Sequence, residues 1–391
     1  MIERSIAPEL LTAAQRAPIV VVTGPRQSGK TTLCRALFGD RPYINLEAFD
    51  KRAFALEDPR GFLASIPDGA VIDEVQRAPD LLSYLQEEVD RDPRSGRFIL
   101  TGSENFTLSH HISQSLAGRV AVLVLLPPSY DELRHFPGAP TDVWELLVRG
   151  SFPRPYDMGI DSRPWLADYV TTYVERDVRD LLAVTDLVSF RTFLALVAGS
   201  TATEWNAARI GADVGIAHPT AKRWLSVLET SHLLMRLPPL RRNLRKRLVK
   251  APKIHLLDSG LACHLLGIES ADQLVRHPLR GAIFESWVVS EVLKALHNRG
   301  ERPRLFHYRD ASRLEVDLVI EHHGTMHLCE VKSAATVTSS FLESLAKVDA
   351  VLRESHEPLE VARALIYGGE RRVVQSGVNV TPWSEVGTLL G

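Results

Sequence analysis

The chain has 391 residues, of which 24% are charged and 45% hydrophobic. At roughly 100 to 200 residues per domain, that length holds two or three domains and excludes a single small module. A formal net charge of -2 excludes a protein that is basic all over, so any nucleic-acid surface has to be a local patch.

Cys34, Cys263 and Cys329 stand far apart, with none of the paired spacings of a zinc site or a disulfide framework, which fits a reducing compartment. The longest strongly apolar run, Val120 to Leu126, stops at Pro127 and Pro128, short of the roughly 18 to 20 residues that cross a bilayer. Met1 to Leu11 is mixed in charge and has no signal-peptide core. These features lead to the expectation of a cytoplasmic protein with no membrane partner.

From Ile19 to about Leu126, short apolar runs alternate with helix-like stretches, the rhythm of a parallel sheet with crossover helices. The runs are Pro18 to Thr23, Tyr43 to Leu46, Ala70 to Ile72, Arg97 to Thr101 and Val120 to Leu126. After the first comes Gly24-Pro25-Arg26-Gln27-Ser28-Gly29-Lys30-Thr31-Thr32, a phosphate-loop pattern between a strand and a helix. Its glycines let the backbone curl its N–H groups toward phosphates, Lys30 reaches the terminal phosphates and Thr31 is placed to ligate Mg²⁺. The cofactors expected from the loop are therefore ATP or GTP, with Mg²⁺.

Ala70-Val71-Ile72 runs into Asp73 and Glu74, where the first acid suits the metal and the second suits polarising the attacking water. The next strand ends in Thr101-Gly102-Ser103-Glu104-Asn105 at the edge where nucleotides bind in open α/β sheets, so Thr101 or Ser103 is a candidate γ-phosphate sensor. Leu116-Ala117-Gly118-Arg119 precedes the fifth strand, which makes Arg119 either an arginine finger for a neighbouring subunit or an exposed residue without a role.

Between about Asp142 and Leu266 the apolar spacing is mostly helical, and the stretch reads as an all-α connector followed by a small helical domain. Glu204 to Gly211 and Pro219 to Leu228 look like a helix-turn-helix, with Thr220, Lys222 and Arg223 near the start of the second helix. Arg241, Arg242, Arg245, Lys246, Arg247, Lys250 and Lys253 then concentrate positive charge in a slightly acidic chain. Such a run suits phosphate contacts with DNA, the alternatives being a solvated loop or a subunit contact. Trp205 and Trp224 read as core anchors.

From Gly281 the order is α-β-β-β-α-β: a helix at Ile283 to His297, runs at Arg304 to Tyr308, Leu314 to Glu321 and Thr325 to Val331, a helix near Thr338 to Leu352 and a strand near Val361 to Tyr367. Counting outward from a His323-Gly324 turn sets Asp317 across from Glu330, and opposed carboxylates repel unless a cation lies between them. Lys332 shares the face of Glu330. Asp317, Glu330, Lys332 and the helical Glu285 together resemble the PD-(D/E)xK nuclease pattern. Asp317 and Glu330 suit Mg²⁺ or Mn²⁺, with Lys332 acting on the water or the phosphorane. A Lys-bridged acid pair in a domain that only binds is the competing reading. His322, His323 and His327 are expected to be solvated turn residues rather than three converging ligands.

From roughly Val20 to Lys332 the chain resembles the AAA-type ATPases of bacteria and archaea that carry the C-terminal domain of unknown function 4143. The residues that carry the resemblance are Gly24 to Thr32, Asp73-Glu74-Val75-Gln76, Leu100-Thr101-Gly102-Ser103, Leu116-Ala117-Gly118-Arg119, Phe152-Pro153, Tyr173-Val174-Glu175-Arg176-Asp177 and Lys250 to Leu261. Ser151 departs from the pattern, which has a second Gly before Phe-Pro. The resemblance implies an AAA-type parallel-sheet ATPase domain at 1–140, a helical connector and winged-helix-like domain at 141–266 and a PD-(D/E)xK nuclease-like α/β domain at 267–391. The function expected is ATP-driven remodelling or translocation of DNA by a homo-oligomer, such as a hexameric ring. An ATP-gated nuclease and a nucleotide-controlled switch are the alternatives.

Overall fold

The computed structural model describes residues 2–103, 116–174, 186–240, 251–353 and 360–390. Five strands form an all-parallel sheet: β1 (Ile19–Thr23), β2 (Tyr43–Asn45), β3 (Ala70–Asp73), β4 (Phe98–Gly102) and β5 (Val120–Val124), in the order β2-β3-β4-β1-β5. Every residue of β1 is buried because helices cover both faces of the sheet. Val20 and Val22 pack with the helices Ala7–Arg16 and Lys30–Leu37, while Ile19 and Val21 pack with Leu81–Arg91. The carboxyl ends of β1, β3 and β4 therefore come together on one edge.

The middle of the chain is not all-α. Helices Leu187–Gly199, Ala207–Val214 and His218–Thr230 are joined by a three-stranded antiparallel sheet of β6 (Thr203–Glu204), β7 (Leu234–Leu237) and β8 (Lys253–Leu256), ordered β6-β8-β7. Strands of two to four residues are too short for alternation to register in the sequence. In β8 the pattern is also masked, because Lys253 and His255 are buried beside the apolar Ile254 and Leu256. Trp224 is a core anchor, edge-on to Phe190 at 5.2 Å and Phe193 at 5.3 Å.

The last region is a six-stranded mixed sheet, β13-β14-β12-β11-β10-β9, built from β9 (Leu305–Arg309), β10 (Glu315–His322), β11 (Thr325–Lys332), β12 (Glu360–Tyr367), β13 (Val373–Gln375) and β14 (Val378–Pro382). The closing β13-β14 hairpin goes beyond the expected element order. Helix Arg280–Asn298 covers one face and helix Ser340–Arg353 the other.

The regions share a core. One apolar cluster runs from Leu126 and Leu133 after β5, through Leu146 and Leu147, to Phe284, Trp287, Leu318 and Trp383. Two backbones meet where the helix Val143–Arg149 ends: a Cβ on Gly260 would lie 2.7 Å from the Cα and N of Gly150. Asp258 caps the helix Ser259–Leu265 by accepting from the Leu261 N–H at 2.8 Å, and its other oxygen accepts from the Ser151 N–H at 2.7 Å. Ser151, where the family pattern has a Gly, is thus held through its backbone N–H, and its hydroxyl accepts from Lys294 at 3.1 Å.

Gly260→Ala forces these backbones apart and is expected to cost roughly 1–3 kcal/mol, as overpacking does. Differential scanning calorimetry checks this. An unshifted unfolding temperature would mean that the close approach is dispensable.

Candidate functional site

The loop after β1 folds as a phosphate cradle. Gly24 and Gly29 take positive φ of 145° and 97°, and a side chain at Gly24 would run into the Leu125 carbonyl at 2.1 Å, so the glycine there is a steric requirement. Lys30 opens the helix Lys30–Leu37, and its ammonium donates to the Gly24 and Pro25 carbonyls at 2.9 and 2.8 Å. Burial pushes Lys30 down to about 8, partly offset by Glu74 and Asp73.

Thr31 donates to both Asp73 oxygens, at 3.2 and 3.0 Å, which joins the two expected Mg²⁺ ligands directly. Tyr43 and Thr101 also donate to Asp73, the first at 2.6 Å. Glu74 stands in the left-handed region at φ 57°, which turns its side chain away from β3 toward Gln76 and Ser103. Gln76 donates to Glu74 and lies 3.3 Å from the Ser103 hydroxyl, which itself is 3.5 Å from Glu74. Ser103 therefore contacts Glu74, and Thr101 braces Asp73. Tyr43 and Gln76 are additions to the predicted set. Gln76 was visible in its motif, whereas Tyr43 is brought in by the pairing of β2 with β3.

Arg4 is a site residue that sequence reasoning missed. Its guanidinium donates to the Ser28 carbonyl at 2.9 Å, to the Leu126 carbonyl at 2.7 Å and to Glu132 at 3.1 Å. Glu132 is held in a capping box with Ser129. No local pattern marks Arg4, since its partners lie 24 to 128 positions away. A cavity of about 820 Å³ adjoins the loop, lined by Arg26, Gln27, Ser28, Lys30, Thr31, Thr32 and Glu74 and closed by Phe136, Pro153 and Met158. That volume is of the size that small-molecule and cofactor sites take.

Arg119 lies just before β5, at the sheet edge opposite the loop, and pairs with Asp90 of its own domain. It cannot act on the nucleotide loop of its own chain.

The terminal cluster forms in one cavity of about 620 Å³, whose lining includes Lys253, Glu285, Glu315, Asp317, Glu330 and Lys332. The β10-β11 pairing runs from His322–Thr325 to Leu318–Cys329, one position short of Asp317 and Glu330, so the predicted register is right. The two acids are bridged by Lys332, at 3.5 Å from Asp317 and 2.6 Å from Glu330, and Asp317 also accepts from the Val331 N–H at 2.9 Å. Burial, then the Asp317 charge, raises Glu330 to about 7, and the same two causes raise Glu285 to about 8.

Lys253, expected in the basic run, is instead almost fully buried here. It lies 2.7 Å from Glu315, 3.1 Å from Glu285 and 3.7 Å from Asp317. The expectation that it faces DNA is corrected, because three carboxylates hold it inside.

Lys222 and Arg223 are exposed on the helix His218–Thr230. Arg241, Arg242, Arg245, Lys246, Arg247 and Lys250 lie outside the described residues, as do Glu104, Asn105 and Glu175-Arg176-Asp177. The histidines depart in part from the expected solvated turn. His322 is paired with Glu301 at 2.8 Å and stacks on His323 at 4.0 Å, and these three residues bring ligand atoms within 4.8 Å of one another. His327 stands farther off, its ring 6.3 Å from that of His322. Among the described residues no helix is long and apolar enough to cross a membrane.

A glycine loop from a parallel strand, a buried lysine and a Thr–Asp–Glu set at one sheet edge define a P-loop ATPase site. Residues 16–134 match an AAA domain, 140–272 a domain of unknown function, DUF8612, and 280–386 the domain of unknown function DUF4143. The chain belongs to the AAA-type ATPases that carry a C-terminal DUF4143 domain. Uncharacterized proteins of Mycobacterium tuberculosis and Mycobacterium bovis are each 33% identical over 373 residues, covering 94% of this chain and 80% of their own length. Among solved structures, a Walker-type ATPase of Pyrococcus abyssi aligns at 18% identity with a TM-score of 0.44, over 68% of this chain and 96% of its own. RuvB of Thermotoga maritima aligns at 17% identity with a TM-score of 0.32, over 61% and 90%.

Arg4→Ala is expected to weaken ATP binding about tenfold, by releasing the loop at Ser28, while Lys30→Ala abolishes it. Fluorescent-nucleotide titration reads both. An Arg4→Ala protein with wild-type affinity would remove Arg4 from the site.

Proposed function

We propose that this protein hydrolyses ATP and uses the cycle to remodel or translocate DNA as a homo-oligomeric ring. The observation that carries the reading is that Lys30, Thr31 and Glu74 line one cavity, with Asp73 bonded to Thr31 at 3.0 Å and Ser103 3.5 Å from Glu74 just behind them. Lys30 exchanges its two loop carbonyls for the β and γ phosphates. Thr31 and Asp73 are hard oxygen donors already in contact, a donor set that suits Mg²⁺, which when bound neutralises phosphate charge. Glu74 orients and polarises the attacking water, and Gln76 and Ser103 hold its carboxylate in place. Arg119, remote from its own loop, serves the site of a neighbouring subunit.

Support for DNA as the partner comes from the central region. Its order, helix, short strand, two helices and an antiparallel strand pair, is that of a winged helix, with Lys222 and Arg223 exposed on the second helix of the pair. The basic stretch from Arg241 to Lys250 falls between β7 and β8, the position of a wing. A second reading, metal-dependent cleavage, is favoured by Glu285, Asp317, Glu330 and Lys332 meeting in one cavity, the arrangement of a PD-(D/E)xK nuclease. In that reading Asp317, Glu330 and Glu285 hold Mg²⁺ or Mn²⁺, and Lys332 stabilises the phosphorane.

The test is the ATPase rate with and without single-stranded, duplex and branched DNA. Stimulation of tenfold or more supports the motor, divalent-dependent nicking supports the nuclease, and slow turnover indifferent to DNA points to a switch. Glu74→Gln should keep ATP bound while lowering turnover at least a hundredfold, and normal hydrolysis by that variant would sink the assignment. Arg119→Ala should retain ATP binding, lose turnover and regain it when mixed with Lys30→Ala protein. A mixture no more active than its parts would rule out action in trans.

A further inference from the structure

The terminal cavity is finished by a residue from outside the terminal region. Lys253 opens β8, a strand of the central sheet, yet its ammonium lies among Glu285 of the long helix and Glu315 and Asp317 of β10. The docking is supported on both sides. The Pro238 and Leu240 backbones pair with His307 of β9, through His307 N–H to Pro238 at 3.0 Å and Leu240 N–H to His307 at 2.8 Å. The Ala251 carbonyl lies 3.2 Å from the His307 imidazole. Arg309 of β9 repeats the link by pairing with Glu204 of β6 at 2.8 Å.

Charge balance gives this docking its meaning. Glu285, Glu315, Asp317 and Glu330 are four carboxylates and Lys253 and Lys332 two ammonium groups, so these six sum to -2 when all are ionised; Arg313 and Lys347 also line the cavity, and Arg309 lies 3.7 Å from Glu315. One oxygen of Glu330, a residue 7% exposed, is buried without a hydrogen-bond partner. Asp317 is shared between the two lysines. In this arrangement Glu285, Asp317 and Glu330 do not bring three ligand atoms together as Glu301, His322 and His323 do among the described residues. They are spread around the ammonium groups instead.

We propose that Lys253 is an intramolecular cation holding the place of a divalent ion, so that Mn²⁺ or Mg²⁺ enters the Glu285–Asp317–Glu330 site only when Lys253 withdraws. This rests on the metal-site reading of the terminal cavity given above. A divalent ion carries twice the charge of an ammonium and draws the same oxygens closer, whereas the lysine has the advantage of being tethered, with no association entropy to lose. Because Lys253 stands three residues beyond Lys250 and the basic stretch, the central region controls the terminal site through one side chain.

Mn²⁺ binding to the full-length, nucleotide-free protein, followed by electron paramagnetic resonance, tests this. Asp73→Asn is included throughout to silence the nucleotide site. Lys253→Gln should bind Mn²⁺ at least tenfold more tightly than the Lys253 protein, and adding Asp317→Asn should erase the gain. Mn²⁺ should also raise the unfolding temperature of Lys253→Gln more than that of the Lys253 protein. Equal affinity with and without Lys253, lost on Asp317→Asn, would keep the metal site and overturn the competition. No Mn²⁺ bound by either protein would overturn both. Should Lys253→Gln fail to fold, Lys253→Met removes the ammonium while keeping the buried aliphatic stem, and leaves the proposed ligands untouched. It should tighten Mn²⁺ binding in the same direction, and an unchanged affinity there overturns the proposal.

Discussion

Helix Arg280–Asn298 buries most of its length while carrying Glu285, Ser286, Ser290, Glu291 and Lys294. Buried polar groups cost free energy unless each finds a partner, so this helix dictates what surrounds it. Glu285 takes Lys253. Ser286 lies 3.0 Å from His255 and 2.8 Å from Thr201, and Ser290 donates to the Leu257 carbonyl at 2.7 Å. One turn later Glu291 accepts from the Tyr130 N–H at 2.7 Å, and Lys294 donates to Pro128, Ser151 and Glu291. Each turn thus fastens a different stretch of chain, from the end of the ATPase sheet to the central strands. Burial raises the Glu291 and Asp258 carboxyls and lowers the His255 imidazole, because the charged forms are desolvated there.

The same helix brings the nucleotide loop and the terminal domain into one connected structure. The segment from Pro128 to Glu132 is held on one side by Lys294 and Glu291 and on the other by Arg4, which in turn grips the Ser28 carbonyl. Hydrogen bonds therefore run without a break from the phosphate cradle to the helix that carries Glu285. Contiguous contacts thus join the phosphate cradle to the carboxylate cavity, and packed side chains and hydrogen bonds continue that route between them. The apolar cluster shared by Leu126, Leu146, Trp287 and Leu318 makes that route stiff.

The terminal cavity has the opposite character. Its charges outnumber its apolar contacts, and its lysines keep the carboxylates from repelling one another. The nucleotide site instead positions its groups with fixed backbone, in the Gly24 and Gly29 turns and the left-handed Glu74.

Local patterns in the chain were enough to specify the parallel sheet, the phosphate loop, the Asp73–Glu74 pair and the β10-β11 register that sets Asp317 against Glu330. These depend on residues close together in sequence or on strict alternation, so their geometry follows from the backbone period. Periodicity did not reveal β6, β7 and β8, which are only two to four residues long and whose Glu204, Lys253 and His255 are satisfied by partners in the terminal region. Nor did it assign Lys253 to the carboxylates, Arg4 to the loop or His322 to Glu301. Each of those pairings joins positions 21 to 64 residues apart or more, from Glu301 and His322 to Lys253 and Asp317, and only packing brings them within hydrogen-bonding range. A basic residue near other basic residues reads as surface charge until the fold supplies acids around it. The carboxylates around Lys253 come from a helix and a strand that meet only once the shared core has formed.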